Sequence, residues 1–339
     1  MRDPILELDG LTIEYGTKSG SVTAVSNATF AVEQGEYFGL AGESGCGKST
    51  IAKSLLGILD ENGRVTAGTI RYKGEELQDQ SQKYLNEHIR WKEISYIPQS
   101  SMNSLDPLKK ISTQALDMAK THTELSKAEA REKFAELFEI VGIQESRIDD
   151  YPHEFSGGMQ QRAVIALALF LDPSLIIADE PTTALDVIMQ DQIFKYLDRI
   201  KVETGVSMLL ITHDISVIFE SCESLAIMHS GQVAETGGCK AVYDTPHHPY
   251  AILLQQAFPD VDHPDRELLT IDGYPPELIG NTDFCTFVER CPWAVRECEE
   301  AAPPLEPVEN DARHEAACIR AGEIRETEQW ESLVSGADP

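Results

Sequence analysis

Nine consecutive residues, Gly42-Glu43-Ser44-Gly45-Cys46-Gly47-Lys48-Ser49-Thr50, carry the spacing G-x-x-x-x-G-K-[ST]. Glycines in such a run let successive backbone N–H groups turn inward around phosphate oxygens. A helix beginning at the end of the run adds about half a positive charge at its N-terminus. Lys48 is then the residue to reach β- and γ-phosphates, and Ser49 the one to ligate Mg²⁺. Farther along, Asp179 and Glu180 close the apolar run Leu175-Ile176-Ile177-Ala178. Two adjacent carboxylates alone are as readily ordinary loop acids. About 130 residues after a phosphate loop, they read as a Walker B pair. Asp179 faces the magnesium, and Glu180 is the general base or water-orienting group.

A second anion site stands at Ser156-Gly157-Gly158, which opens the run Met159-Gln160-Gln161-Arg162. A helix N-terminus there would bind phosphate by the same physics. The plainer reading is a helix start capped by Ser156. One nucleotide does not need two phosphate cradles in one chain.

These residues need elements to hold them. Tyr37-Phe38-Gly39-Leu40-Ala41 is a short apolar strand running into the glycine loop, and Ile51 to Leu59 follows with helical spacing. Strand, glycine loop and helix are the context a phosphate loop requires. Leu175–Ala178 and Met208–Thr212 read as buried parallel strands, with Val187–Lys201 as the crossover helix. Residues 112 to 142 and Met159–Phe170 read as helices, which predicts a helical insert over about 100–160. Residues 5 to 15 read as a strand pair turning at Asp9-Gly10, and Ala24–Val32 as a further strand. Past Lys240 no lysine remains and prolines multiply. This places a boundary there, between a domain at 1–240 and an acidic extension at 241–339 with little core of its own.

Phe155 through Arg162 resembles the signature motif of ABC-transporter ATPases, and the resemblance runs over residues 5 to about 235. It implies an α/β P-loop NTPase core of the ABC ATPase kind. An antiparallel β subdomain, a helical signature subdomain and a small C-terminal extension complete it. In that family the signature of one subunit closes over ATP held by the other, in a head-to-tail dimer. Ser156, Gly157, Gly158 and Gln160 would then serve the partner's nucleotide. The resemblance makes Gln99, in Ile97-Pro98-Gln99, the Q-loop glutamine that senses Mg²⁺ and the γ-phosphate. It makes Thr183-Ala184-Leu185-Asp186 the D-loop that meets the partner, and His213 the switch histidine at the γ-phosphate. Tyr15 is the candidate to stack on adenine; otherwise it is a strand-end aromatic packed on the core.

The tail narrows the resemblance. His248-Pro249-Tyr250 and the segment Cys285 to Cys298, with Arg290-Cys291-Pro292-Trp293, look like the C-terminal extension of oligopeptide and dipeptide importer ATPases. Nickel-import subunits are close relatives. The implied assembly has two transmembrane permease subunits, a second ABC ATPase, homologous or identical, and an extracytoplasmic substrate-binding protein reached indirectly. Its place is peripheral, on the cytoplasmic face of the membrane. The implied cofactors are ATP and Mg²⁺.

Seven cysteines occur, four of them, Cys285, Cys291, Cys298 and Cys318, in the last 55 residues. Their separations are looser than the C-x₂-C pairs of common zinc sites. Cys291-Pro292 is similar to the ending of bacterial ferredoxin motifs, and some importer ATPases of this type hold an iron–sulfur cluster in this region. A [4Fe–4S] cluster, zinc and simple packing of reduced thiols all remain open here. Cys46 reads as a small loop residue without a redox role.

The formal net charge is −29, which argues against nucleic acid and against direct docking on anionic lipid. The excess runs through the whole chain, which reads either as an ordinary soluble acidic protein or as a halophilic one in a high-salt cytosol where screening tolerates self-repulsion. No apolar run is long enough to span a bilayer, and the start lacks a secretory plan. A soluble ABC ATPase acting on nucleic acid or ribosomes would need basic surfaces or long coiled coils, and neither is present.

Overall fold

The structure, a computed structural model, describes residues 3–18, 20–99, 104–182, 187–257, 271–276, 278–279, 283–308, 311–324 and 327. In chain order the first elements are β1 (Pro4–Thr17), β2 (Gly20–Glu33), β3 (Tyr37–Gly42), α1 (Lys48–Leu55), β4 (Gly63–Tyr72) and β5 (Glu75–Glu76). Then come α2 (Gln82–Tyr84), β6 (Ile94–Ile97), α3 (Ile111–His122), α4 (Lys127–Ile140), α5 (Gly157–Leu169) and β7 (Leu175–Asp179). They are followed by α6 (Val187–Thr204), β8 (Ser207–Thr212), α7 (Ile215–Ser221), β9 (Ser224–His229) and β10 (Gln232–Gly238). The last are α8 (Cys239–Asp244), α9 (Pro249–Gln256), α10 (Glu297–Glu300), β11 (Glu306–Val308) and β12 (Asp311–Ala316). The chain forms two units: residues 1–5, 32–37 and 75–211 make the first, and 6–31, 38–74 and 212–339 the second.

In the first unit β8, β7 and β6 lie side by side in that order, all parallel. Every residue of β7 and β8 is buried, as unbroken aliphatic runs in a parallel sheet demand. The helices of this unit pack on an aromatic core. Phe134 meets Phe138 at 4.8 Å between ring centroids and Phe170 edge-on at 5.7 Å. α4 starts at a capping box in which Ser126 Oγ accepts from Glu129 N–H and the Glu129 carboxylate accepts from Ser126 N–H. It ends at Gly142, in the left-handed region at φ 69°. Arg162 of α5 donates to the free carbonyls there, Val141 O at 3.2 Å and Gly142 O at 2.8 Å. This ties the helix carrying the signature run to the end of α4.

In the second unit β2, β1 and β4 form one sheet in that order. The strand pair expected at residues 5 to 15 is a single strand. β1 pairs with β4 from Leu6↔Tyr72 to Tyr15↔Gly63, with a bulge between Asp9 and Thr12. Gly10, at φ 61°, supplies the extra residue of the bulge rather than a chain reversal. The bulge fits because Gly68 lies opposite: a Cβ there would come within 2.3 Å of Gly10 O.

The other sheet of this unit runs β11–β12–β10–β9–β3. β3 and β9 are parallel, and the remaining pairs are antiparallel. The extension was expected to have little core, yet it is built into this sheet through β12 and β11. Ile252, Trp293 and Ile324 also form a buried cluster, with Cys291 and Cys318 packed against it. Glu235 of β10, wholly buried, accepts from the N–H groups of His247 and His248 and from His314 Nε2 at 2.6 Å. A buried carboxylate needs such partners, and these three fasten β12 and the start of α9 to the sheet.

Candidate active site

The phosphate loop of the second unit joins β3 to α1. Three of its glycines have left-handed φ values: Gly42 at 147°, Gly45 at 82° and Gly47 at 106°. Two of them are also pinned by close backbone. A Cβ at Gly42 would stand 2.2 Å from Met228 O, and one at Gly47 2.5 Å from Ala24 O. β9 and β2 therefore press on the loop from outside and leave no room for side chains. α1 has no acidic residue in its first turn, so its positive end is left for an anion.

Lys48 is 5% exposed. Its Nζ donates to Gly42 O at 2.7 Å and Glu43 O at 2.9 Å, so the ammonium is folded back on its own loop. Cys46 Sγ lies 3.6 Å from the same Nζ. Burial nevertheless pushes the Cys46 thiol up, with Lys48 pulling only partly against it. The thiol stays protonated, in keeping with a packing role. Ser49 and Thr50 are half-buried in the first turn of α1, while Ser44 and Gly45 are exposed at the loop tip.

Tyr15 is half-buried near the end of β1. A side chain on its cross-strand neighbour Gly63 would place its Cβ 2.6 Å from Tyr15 Cε1. Gly63 thus clears space for one side of the ring. His213 follows β8 directly and is exposed.

In the first unit Asp179 closes β7 and is 1% exposed. Tyr96 of β6 donates its hydroxyl to Asp179 Oδ2 at 3.0 Å. Burial first, and then the Asp179 charge, raises the Tyr96 hydroxyl well above the ordinary phenol range, so it remains a donor. No local pattern singles out Tyr96. Only the pairing Ile97↔Ala178, one residue along in each strand, brings it there. Glu180 has φ 49°, a conformation that costs a non-glycine residue about 1–3 kcal/mol and gathers at functional sites. Its N–H donates to Ile211 O at 2.8 Å. Gln99 Nε2 donates to Glu180 Oε2 at 2.8 Å. The structure thus brings Gln99, Tyr96, Asp179 and Glu180 together.

The signature run opens α5. Ser156 is its N-cap and accepts from Met159 N–H at 3.4 Å. The first turn carries no acidic residue. Gly158 packs closely on α6: a Cβ there would lie 2.0 Å from Met189 Cε, which would have to swing aside. Gln160 Nε2 donates to Pro152 O at 2.8 Å, so it braces the preceding turn. Asp186, with Thr183-Ala184-Leu185, lies outside the described residues.

The four tail cysteines line one small cavity, beside Phe287 and Trp293. Burial raises Cys285, lifts Cys291 to about 12 and lifts Cys318 to about 11, with neighbouring thiols adding to each shift. Among the described residues no three of His, Cys, Asp and Glu stand close enough to hold a metal ion.

An ABC transporter family model matches residues 25–183. A second, for the oligopeptide/dipeptide transporter C-terminal region, matches 234–298. The chain is 41% identical to an oligopeptide transport ATP-binding protein of Salmonella typhimurium, over 89% of this chain and 90% of that one. It is 39% identical to a dipeptide transport ATP-binding protein of Bacillus subtilis, over 89% and 90%. Among solved structures it resembles a dimeric ATP-binding cassette in a post-hydrolysis state bound to ADP and Pi. That likeness has a TM-score of 0.62 at 26% identity, over 69% of this chain and 98% of that one. At these identities and coverages the chain belongs to the ABC transporter family, among the oligopeptide and dipeptide transport ATP-binding proteins.

Proposed function

We propose that the chain is the motor subunit of a peptide importer, hydrolysing ATP to ADP and phosphate to drive oligopeptides or dipeptides through a membrane permease. The hydrogen bond from Gln99 to Glu180, 2.8 Å long, supports hydrolysis most directly. It holds the carboxylate by a residue that can follow the nucleotide. The match of residues 234–298 supports the peptide cargo over nickel or another small solute.

Ser49, Asp179 and Gln99 would hold Mg²⁺, which when bound would supply charge neutralisation for the phosphates. These side chains offer the hard oxygens that ion prefers. Lys48 leaves the Gly42 and Glu43 carbonyls for phosphate oxygens. The loop N–H groups from Gly42 to Thr50 cradle the same phosphates. Glu180 takes the proton of the attacking water, Gln99 orients that water, and His213 contacts the γ-phosphate. Tyr15 stacks on adenine. Ser156, Gly157 and Gly158 of a second, head-to-tail ATPase subunit close the site, with Gln160 bracing their turn and Asp186 reaching across. Positioning and charge stabilisation supply most of the rate.

No described helix is long and apolar enough to cross a membrane. In this reading the nucleotide-binding domain at 1–240 docks peripherally on two permease subunits at the cytoplasmic face. The test is uptake. The assembled transporter in vesicles, with its extracytoplasmic binding protein, should accumulate a labelled peptide only when ATP is inside. Accumulation of nickel but not peptide would reassign the cargo, and ATP turnover without any uptake would reassign the motor.

For the extension at 241–339 the proposal is that Cys285, Cys291, Cys298 and Cys318 hold one [4Fe–4S] cluster. A cluster takes four thiolates, and these four cysteines line one cavity. Anaerobically purified protein should be brown with about four irons per chain, and Cys291→Ser should remove the colour. Colourless protein with one zinc per chain, or with no metal, rejects the cluster.

A further inference from the structure

The phosphate loop carries a carboxylate, Glu43, at a place where phosphate charge must accumulate. An uncompensated anion there would repel the nucleotide. The structure answers this charge from the far end of the chain. Arg290 is 5% exposed at its side chain and forms a two-pronged ion pair with Glu43, Nη1 to Oε2 and Nη2 to Oε1, each 2.8 Å. Its other donations go to Asp272 O at 3.0 Å, Ile271 O at 3.4 Å and His229 Nε2 at 3.1 Å. All five guanidinium N–H groups therefore have acceptors, and the fork is fixed in one orientation.

The surroundings keep that fork charged and directed. His229 hands Nδ1–H to Thr286 Oγ1 at 3.0 Å, which leaves Nε2 free to accept from Arg290. Burial and then the Arg290 charge hold His229 down at about 3, so it adds no second cation. Tyr250 of α9, wholly buried, accepts from the Glu43 N–H at 3.1 Å. Phe287 packs against both Tyr250 and His229, with centroids 5.3 and 5.1 Å apart. The C-terminal extension thus grips Glu43 at its side chain and at its N–H. The carbonyl of the same residue is one of the two on which Lys48 rests.

We propose that the C-terminal extension is a working part of the nucleotide site: Arg290 neutralises Glu43 and, with Tyr250, positions the first turn of the phosphate loop for ATP. Arg290 and Tyr250 are positioning residues that act through Glu43. The inference rests on the phosphate loop binding ATP.

The test is the dissociation constant for ATP, measured by equilibrium binding on the full chain at low salt. Arg290→Ala should weaken ATP by about tenfold, the effect of one bare unit charge at roughly 10 Å with an effective dielectric of about 20. The loss should shrink from ATP to ADP to AMP as phosphate charge falls, and shrink again as salt rises. Arg290→Ala made in the Glu43→Gln chain should change ATP affinity by less than about twofold, because no uncompensated charge remains. Arg290→Gln keeps donors for the Ile271 and Asp272 carbonyls and serves the same comparison if the alanine variant does not fold. An equal loss in both backgrounds would make Arg290 a fold-holding residue only and overturn the proposal. So would unchanged affinity in a folded Arg290 variant. Failure of the unaltered chain to bind ATP would instead overturn the nucleotide reading itself.

Discussion

Glu180→Gln keeps ATP bound and slows its hydrolysis by roughly 10² to 10⁴, the usual worth of acid–base assistance. The amide matches the carboxylate in shape but cannot take a proton from water. It can still pair with Gln99, whose Nε2 now donates to the carboxylate at 2.8 Å, so the local geometry survives. The strained backbone at φ 49° is unchanged by a substitution of the same length. The loss should therefore fall on kcat, with KM for ATP little altered. A second readout follows from the composite site. With hydrolysis blocked, ATP holds the head-to-tail pair closed, and the variant should run at twice its monomer mass in the presence of Mg-ATP. Turnover at the unaltered rate in the assembled transporter would remove Glu180 from the role of base.

Lys48→Ala acts on binding instead. The ammonium is 5% exposed and held by two carbonyls. Its removal takes away a charge-assisted hydrogen bond to phosphate worth about 1.5–3 kcal/mol. ATP affinity should fall roughly 10- to 100-fold. Adenosine, which lacks phosphate, should bind the variant and the unaltered chain alike. The variant also leaves Gly42 O and Glu43 O without that donor, so its melting temperature should be recorded without nucleotide. If ATP affinity is unchanged in a folded variant, the lysine does not reach the phosphates.

The residues that bear the chemistry were legible because their signals are local. Gly42, Gly45 and Gly47 announce a backbone that only glycine adopts easily. An unbroken aliphatic run before Asp179 announces a buried parallel strand, and Ser156 before Gly157 announces a helix start. Backbone sterics and periodicity act over a few residues, so a single sequence displays them. Gly10 shows the limit of this kind of signal. A glycine beside an aspartate suits a reversal and a bulge equally. The choice went to the bulge because Gly68 of a strand more than fifty residues away left room for it.

The tertiary structure alone decided how distant charges are matched. Arg290 and Glu43 are 247 positions apart, Tyr96 and Asp179 are 83 apart, and Glu235 and His314 are 79 apart. None of these pairs has a spacing that a helix or strand period would favour. Each exists because the fold sets which backbones become neighbours, and for Asp179 and Glu235 burial leaves the carboxylate no water to turn to. The sequence by itself determined where the glycine loop, the Asp179-Glu180 pair and the helix after Ser156 begin. Only the folded sheet, by carrying the tail back to the loop, decided that Glu43 would be answered by Arg290.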